Sequence, residues 1–237
     1  MRNILILAMF AATLAHAASN DYEEVRELAL DAGGVAALHI EAGAGSLEIT
    51  GVPRTDRIRV AALIRVPDTD ADKAKAVLDE HMVLSLLRKG DAAELKSYFD
   101  GGSRMFRDSP SIGLEVQLPE GMSLHVEDRS GSIIVRNVAG DIELDDGSGS
   151  IEMTKVGGNL QIEDGSGSIS ITDAGGDLSI VDGSGSITVR GVQGSVSIDD
   201  GSGGIEVADV AGDALILEAG SGSVKIRDVQ GTVDHDD

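Results

Sequence analysis

The chain has no cysteine and no tryptophan, and its only aromatic residues are three phenylalanines and two tyrosines. Without cysteine there is no disulfide, no thiolate metal site and no lipid-attachment site. Basic residues are also scarce, at 19 Lys and Arg against 41 Asp and Glu, a formal net charge of −22. Phosphate recognition needs Lys and Arg gathered in patches, so nucleic acid is excluded as a partner, and an anionic membrane surface with it. Cations, basic proteins and neutral glycans stay open. Long apolar runs are missing too: the run from Ile4 to Leu14 is shorter than the ~20 residues that span a bilayer as a helix.

That short run has a use of its own. Arg2 precedes it and Ala15-His16-Ala17 follows it, giving the charged, hydrophobic and small-residue sections of a secretory signal peptide. Residues 1–18 are therefore read as a signal peptide and 19–237 as one exported domain, in a periplasm or outside the cell.

What the chain has in abundance is glycine, 31 residues, and most of it is periodic. A Ser-Gly-Ser or Ser-Gly-Gly triplet starts at Ser130, Ser148, Ser166, Ser184, Ser202 and Ser221, a period of 18 broken by one inserted residue before Ser221. A fixed period of this size marks a solenoid. Within a unit, Ile133 and Val135 alternate with polar residues, as do Ile142 and Leu144, with Val138 between them. Alternation means strand, so each 18-residue coil should hold two strands and two turns. Stacked coils then place Ile133, Ile151, Ile169, Ile187, Ile205 and Val224 in one column, and a single coil, unable to bury its apolar face alone, gains a continuous core from its neighbours. The expected fold is all-β, a parallel β-solenoid of about eight coils, right-handed by the general rule for parallel crossovers. Residues 130–237 form its regular part.

The glycine columns, headed by Gly131 and Gly140, are read as turn positions rather than phosphate cradles, because they do not open helices. Upstream, Leu38, Ile40 and Gly45-Ser46-Leu47-Glu48-Ile49 repeat the coil spacing, and the alternating Ile58, Val60 and Ala62 are expected to continue that first coil. The pattern then lapses over 66–111. Pro67-Asp68-Thr69-Asp70 before Lys73 to Met82 reads as a capped helix, followed by strands over Val83 to Arg88 and Glu94 to Tyr98 and a loop holding Arg104, Phe106 and Arg107. This excursion is expected to be a small α+β cap that covers the open end of the sheets, with a binding role as the alternative. At the other end, His235 falls where Leu144 packs, as suits an outermost coil.

Leu118-Pro119-Glu120-Gly121, leading into the run of Ser-Gly-Ser-Ile and Val-x-Gly-Asp half-units from Ser130 to Asp237 behind a signal peptide, resembles the bacterial putative adhesin family of β-strand-repeat proteins. The resemblance implies an exported β-helix or β-roll of unknown function, and it supplies no catalytic residues.

For chemistry, the candidates are Asp146, Asp164, Asp182 and Asp200, a column flanked by Asp145, Glu163 and Asp199. Stacked carboxylates favour bound cations, and calcium prefers clustered oxygens. However, the aspartate that a calcium-binding β-roll places two residues before the core residue is replaced here by Ile133 and Ile187. Solvated turn aspartates capping their own backbone are the favoured reading, with calcium the alternative. A second column, Asp141, Asn159, Asp177, Ser195 and Asp213, mixes charged and neutral residues, which points to turn hydrogen bonding. No catalytic residues and no cofactor are assigned, and His39, His81, His125 and His235 are expected to be scattered. The resulting expectation is a monomeric, non-enzymatic, adhesin-like interaction protein with an unidentified envelope or surface partner. The alternatives are a glycan-binding or glycan-acting envelope protein and a self-assembling scaffold.

Overall fold

The computed structural model of the protein describes residues 21–100 and 109–235. The expected signal peptide and the loop residues Arg104, Phe106 and Arg107 lie outside them. The N-terminal part contains β1 (Tyr22–Asp31), β2 (Ala37–Ala44), β3 (Leu47–Val52), β4 (Arg57–Val66), α1 (Ala71–His81), β5 (Met82–Lys89), β6 (Ala92–Phe99) and β7 (Ser111–Pro119). The long β8 (Ser123–Arg136) opens the regular part. It is followed by β9 (Ile142–Asp146), β10 (Gly149–Val156), β11 (Leu160–Asp164), β12 (Gly167–Ala174), β13 (Leu178–Asp182), β14 (Gly185–Val192) and β15 (Val196–Asp200). The last strands are β16 (Gly203–Val210), β17 (Ala214–Glu218), β18 (Val224–Val229) and β19 (Val233–His235).

Two parallel sheets face each other across one core. The second half of β8 stacks with β10, β12, β14, β16 and β18 to form sheet A. Its first half stacks with β9, β11, β13, β15, β17 and β19 to form sheet B. Ile133, Ile151, Ile169, Ile187, Ile205 and Val224 are partners in register. All but the last are buried, and each fully buried side chain of this size stabilises by about 1.5–3 kcal/mol. The architecture is a parallel β-solenoid whose 18-residue coils make six consecutive turns from β8 to β18.

Two backbone devices keep the turns in register. Gly149, Gly167, Gly185 and Gly203 have φ between +146° and +154°, and a Cβ on any of them would overlap the carbonyl of the equivalent glycine one turn earlier. Only glycine lets the coils approach this closely. At the other corner Asn137, Lys155, Asp173, Gly191, Asp209 and Asp228 all adopt positive φ. Pairing skips this residue on both strands without a change of register, and the next side chain turns inward, so that Val138, Val156, Ala174, Val192 and Val210 are buried. The inserted residue forms a bulge: Ile198 pairs with Ile216 but Asp199 with Glu218, which leaves Leu217 projecting, 48% exposed.

The expectation of about eight consecutive coils is corrected by the N-terminal part, where order in space departs from order in sequence. β2 and β3 form a rung directly against β8, although 70 residues separate Val52 from Ser123. β6 and β7 stack in parallel on the far side of that rung, one on each sheet. The chain therefore makes the second rung first, leaves, returns to lay down the outer rung, and passes over the second to begin β8. Ile58, Val60 and Ala62 do not continue the first coil. They belong to β4, which runs antiparallel to both β1 and β7. The end of the solenoid is closed by β1 on sheet A, by β5 antiparallel to β6 on sheet B, and by α1. Asp70 caps α1 through the Lys73 amide, as its sequence signature predicts. At the opposite end Val224, Ile226 and Val229 are only half-buried and Val233 is 48% exposed.

Candidate functional site: an aspartate column and a polar groove

In sheet B the apolar positions alternate inward, and the same alternation carries the last residue of each strand inward. Asp146, Asp164, Asp182 and Asp200 occupy that position, 0–6% exposed. The structure brings all four together in one column, and it adds Asp128, the register partner of Asp146. The turn-capping half of the sequence reading holds, since one oxygen of each carboxyl accepts from the amide two residues on: Ser148 at 3.3 Å, Ser166 and Ser184 at 3.1 Å, and Ser202 at 3.0 Å. Solvation does not hold. The second oxygen of each is buried and has no hydrogen-bond partner among the described residues, and neither oxygen of Asp128 makes a well-directed hydrogen bond with them. The reason is geometric: the residue must point into the core for the following Gly-Ser turn to fold back over it.

Burial sets the electrostatics of this column. It pushes the Asp128 carboxyl up to about 7, with the charge of Asp146 adding to the effect, and it pushes Asp182 up to about 6, with Asp164 and Asp200 adding. Asp146, Asp164 and Asp200 are likewise raised by burial, partly offset by the serine amides. The donor set does not fit calcium, which takes about 6–8 oxygens. The inward carboxyl groups of two adjacent rungs supply four oxygens between them, and the neighbouring carbonyls of Asp128, Asp146, Asp164 and Asp182 already accept from Gly147, Gly165, Gly183 and Gly201. Among the described residues no group of three or more His, Asp or Glu side chains is placed to hold a metal ion.

The second column turns out to be a clamp between coils. Asp141 accepts from the amide of Asn159, Asn159 from Asp177, Asp177 from Ser195, Ser195 from Asp213, and Asp213 from Thr232, at 2.7–3.1 Å. Asp, Asn and Ser are interchangeable here because each supplies an oxygen to the next turn. This column borders a groove of about 910 Å³ that runs across the rungs along the outer surface of sheet B, with Glu143, Gln161, Ser179 and Ser197 on its floor.

At the N-terminal end of the groove, register joins two histidines that sequence distance had separated. His39 on β2 pairs with His125 on β8, with ring centroids 5.3 Å apart. His125 also meets Glu143 at 3.0 Å and Glu127 at 3.3 Å. Burial alone would lower its pKa, but the two glutamates outweigh it and raise it. The outer face of sheet A is laced by exposed ion pairs between rungs, Arg136 with Glu48 and Glu152, and Glu206 with Arg190 and Arg227.

Asp128 was legible in principle: Asp128-Arg129-Ser130-Gly131-Ser132 has the spacing of Asp146-Gly147-Ser148-Gly149-Ser150, with Arg129 hiding the match. The His39–His125 pair carried no sequence signal, because it depends on the out-of-order rung.

No family model matches the chain, and no curated protein matches it. Solved structures do. One is a putative lipid binding protein from Parabacteroides distasonis, 15% identical, with a TM-score of 0.45 over 92% of this chain and 98% of that one. Another is a putative cell adhesion protein from Clostridium sporogenes, 12% identical, with a TM-score of 0.38 over 91% of this chain and 100% of that one. A putative adhesin from Bacteroides fragilis is 16% identical, with a TM-score of 0.36 over 91% of this chain and 97% of that one. At these identities no activity or partner comes over to this chain. Among the described residues no helix is long and apolar enough to cross a membrane.

Proposed function

We propose that this chain is an exported, non-enzymatic, adhesin-like interaction protein that presents an acidic, repetitive solenoid surface to an extended partner at the cell envelope. The groove on sheet B carries the reading. Its polar groups recur at the strand spacing of roughly 4.8 Å from Asp141 to Asp213, and each turn repeats the groups of its neighbour. Such a surface suits an extended or repeating partner better than chemistry at a single bond. Glycan binding is the second reading, favoured by the neutral side chains Asn159, Gln161, Ser179 and Ser197 along the same floor. A self-assembling scaffold fits less well, because β1 and β5 close one end with antiparallel pairings and the coils cannot be continued in register from there.

The test is binding of the purified chain to envelope fractions and to a glycan array, with a turnover assay on each hit. Saturable binding should fall at least tenfold in Ser179→Arg, on the groove floor, and persist in Ser170→Arg, on the outer face of sheet A. Equal loss in both variants contradicts the groove, and product formation contradicts the non-enzymatic reading.

A further inference from the structure

The aspartate column has a beginning and an end. Followed along sheet B in register it reads Ser97, Ala42, Asp128, Asp146, Asp164, Asp182 and Asp200. The bulge that pairs Asp199 with Glu218 then brings Ala219 to the next place. Five carboxyl groups are thus held between small residues, each within a strand spacing of the next, and each with at least one buried oxygen that no group among the described residues satisfies. Carboxylates this close in buried surroundings resist ionising together. Among the described residues no counter-charge reaches them. The ionisable groups acting on the column are its own members and Asp145 and Asp199 on the same strands, all acidic. The inward positions across the core on β10, β12, β14 and β16 are Ile, Met, Val and Ala. Arg129, the nearest cation in the sequence, lies over the Tyr98 ring, 5.6 Å from its centroid.

We propose that Asp128, Asp146, Asp164, Asp182 and Asp200 form a proton-holding ladder inside the solenoid, which takes up protons on folding and makes the fold more stable in mild acid than at neutral or alkaline pH. The direction follows from linkage. Carboxyls raised in the folded state contribute stability that is fully present below the ordinary Asp range near pH 4 and is lost as pH rises through the folded values. Those are about 6 for Asp182 and about 7 for Asp128, so the loss begins near pH 4 and is largely complete by about pH 7. The device opposes the usual acid unfolding, in which carboxylates paired in the native state must be protonated.

Thermal melts of the purified chain from pH 5 to pH 8 test it, with Asp182→Asn and the double variant Asp164→Asn/Asp182→Asn as probes. Asparagine keeps the oxygen that accepts from the serine amide and removes the ionisation. The wild-type midpoint should fall with rising pH by several degrees, at about 2–4 °C for each kcal/mol lost in a chain of this size. Each Asn substitution should raise the midpoint at pH 8 and flatten the slope. Glu163→Gln changes net charge equally, but at an exposed site that does not act on the column, and should leave the slope in place. A midpoint that is flat or rises from pH 5 to 8 overturns the proposal, as does an equal flattening by Glu163→Gln. So does a gain with calcium over chelator at pH 8 that Asp182→Asn abolishes, since a cation and not a proton would then neutralise the column. Should the Asn variants fail to fold, the wild-type carboxyl ¹³C resonances decide: a set of Asp signals titrating above pH 5.5 supports the ladder, and all Asp signals titrating below pH 4.5 overturn it.

Discussion

The six turns from β8 to β18 and the region before β8 are built on the same two sheets, yet they obey different rules of connection. In the turns, sequence neighbours are spatial neighbours, and one 18-residue spacing places core, glycines and aspartates at once. Before β8, the rung of β2 and β3 lies between a rung made later, β6 with β7, and the first regular turn. Antiparallel strands close the end beyond. The lesson is that stacking fixes which residues face inward, while chain order decides only which loops connect them.

The largest expected effect separates the two regions at glycine. In the regular turns, Gly167→Ala forces a Cβ into the backbone of the previous coil. It should abolish folding or cost more than about 4 kcal/mol by denaturant titration. Gly90, between β5 and β6, also has positive φ, +70°, but open space around it. Gly90→Ala should cost about 1 kcal/mol, the ordinary left-handed penalty.

Next in size is the contrast between a middle rung and the last one. Ile169→Ala removes a side chain 1% exposed and should cost about 2–5 kcal/mol. Ile226, in the same sheet at the open end, is half-buried, and Ile226→Ala should cost about 1 kcal/mol. Equal losses would mean that the end is covered in solution.

Both contrasts mark what was readable in advance. The fold class, the strand pairs of each coil, the capped helix and the degenerate last coil were legible because period-two alternation inside an 18-residue period admits few other solutions. β1 was not foreseen, since Tyr22 to Arg26 is half-buried with little alternation. β4 departs from the expected coil: Ile58, Val60 and Ala62 alternate as a coil strand does, and alternation carries no information on direction. For the candidate site, the columns were legible and their environment was not. A turn aspartate and a core aspartate have the same spacing, and only the inward position at the end of sheet B tells Asp182 from Asp145.

Smaller effects refine the turns themselves. Asp177→Ala removes the acceptor for the Ser195 amide and should cost about 1 kcal/mol, as loss of a capping side chain does. Lys155 stands at positive φ where Gly191 occupies the same corner two turns on. Lys155→Gly should gain about 0.5–1 kcal/mol, the left-handed strain relieved less the added chain entropy. A loss at Lys155→Gly would show that its side chain contributes more than its backbone costs.

The most direct measurement uses the absence of native cysteine. His39→Cys with His125→Cys joins two positions that are register partners on adjacent parallel strands, at a spacing compatible with a disulfide. His39→Cys with Glu143→Cys places the thiols two rungs apart, at roughly 9.6 Å, beyond disulfide reach. Mild oxidation should cross-link the first pair nearly completely and leave the second reduced. A cross-link in the second pair and not the first would contradict the insertion of β2 between β6 and β8, and with it the in-register stacking of the whole solenoid.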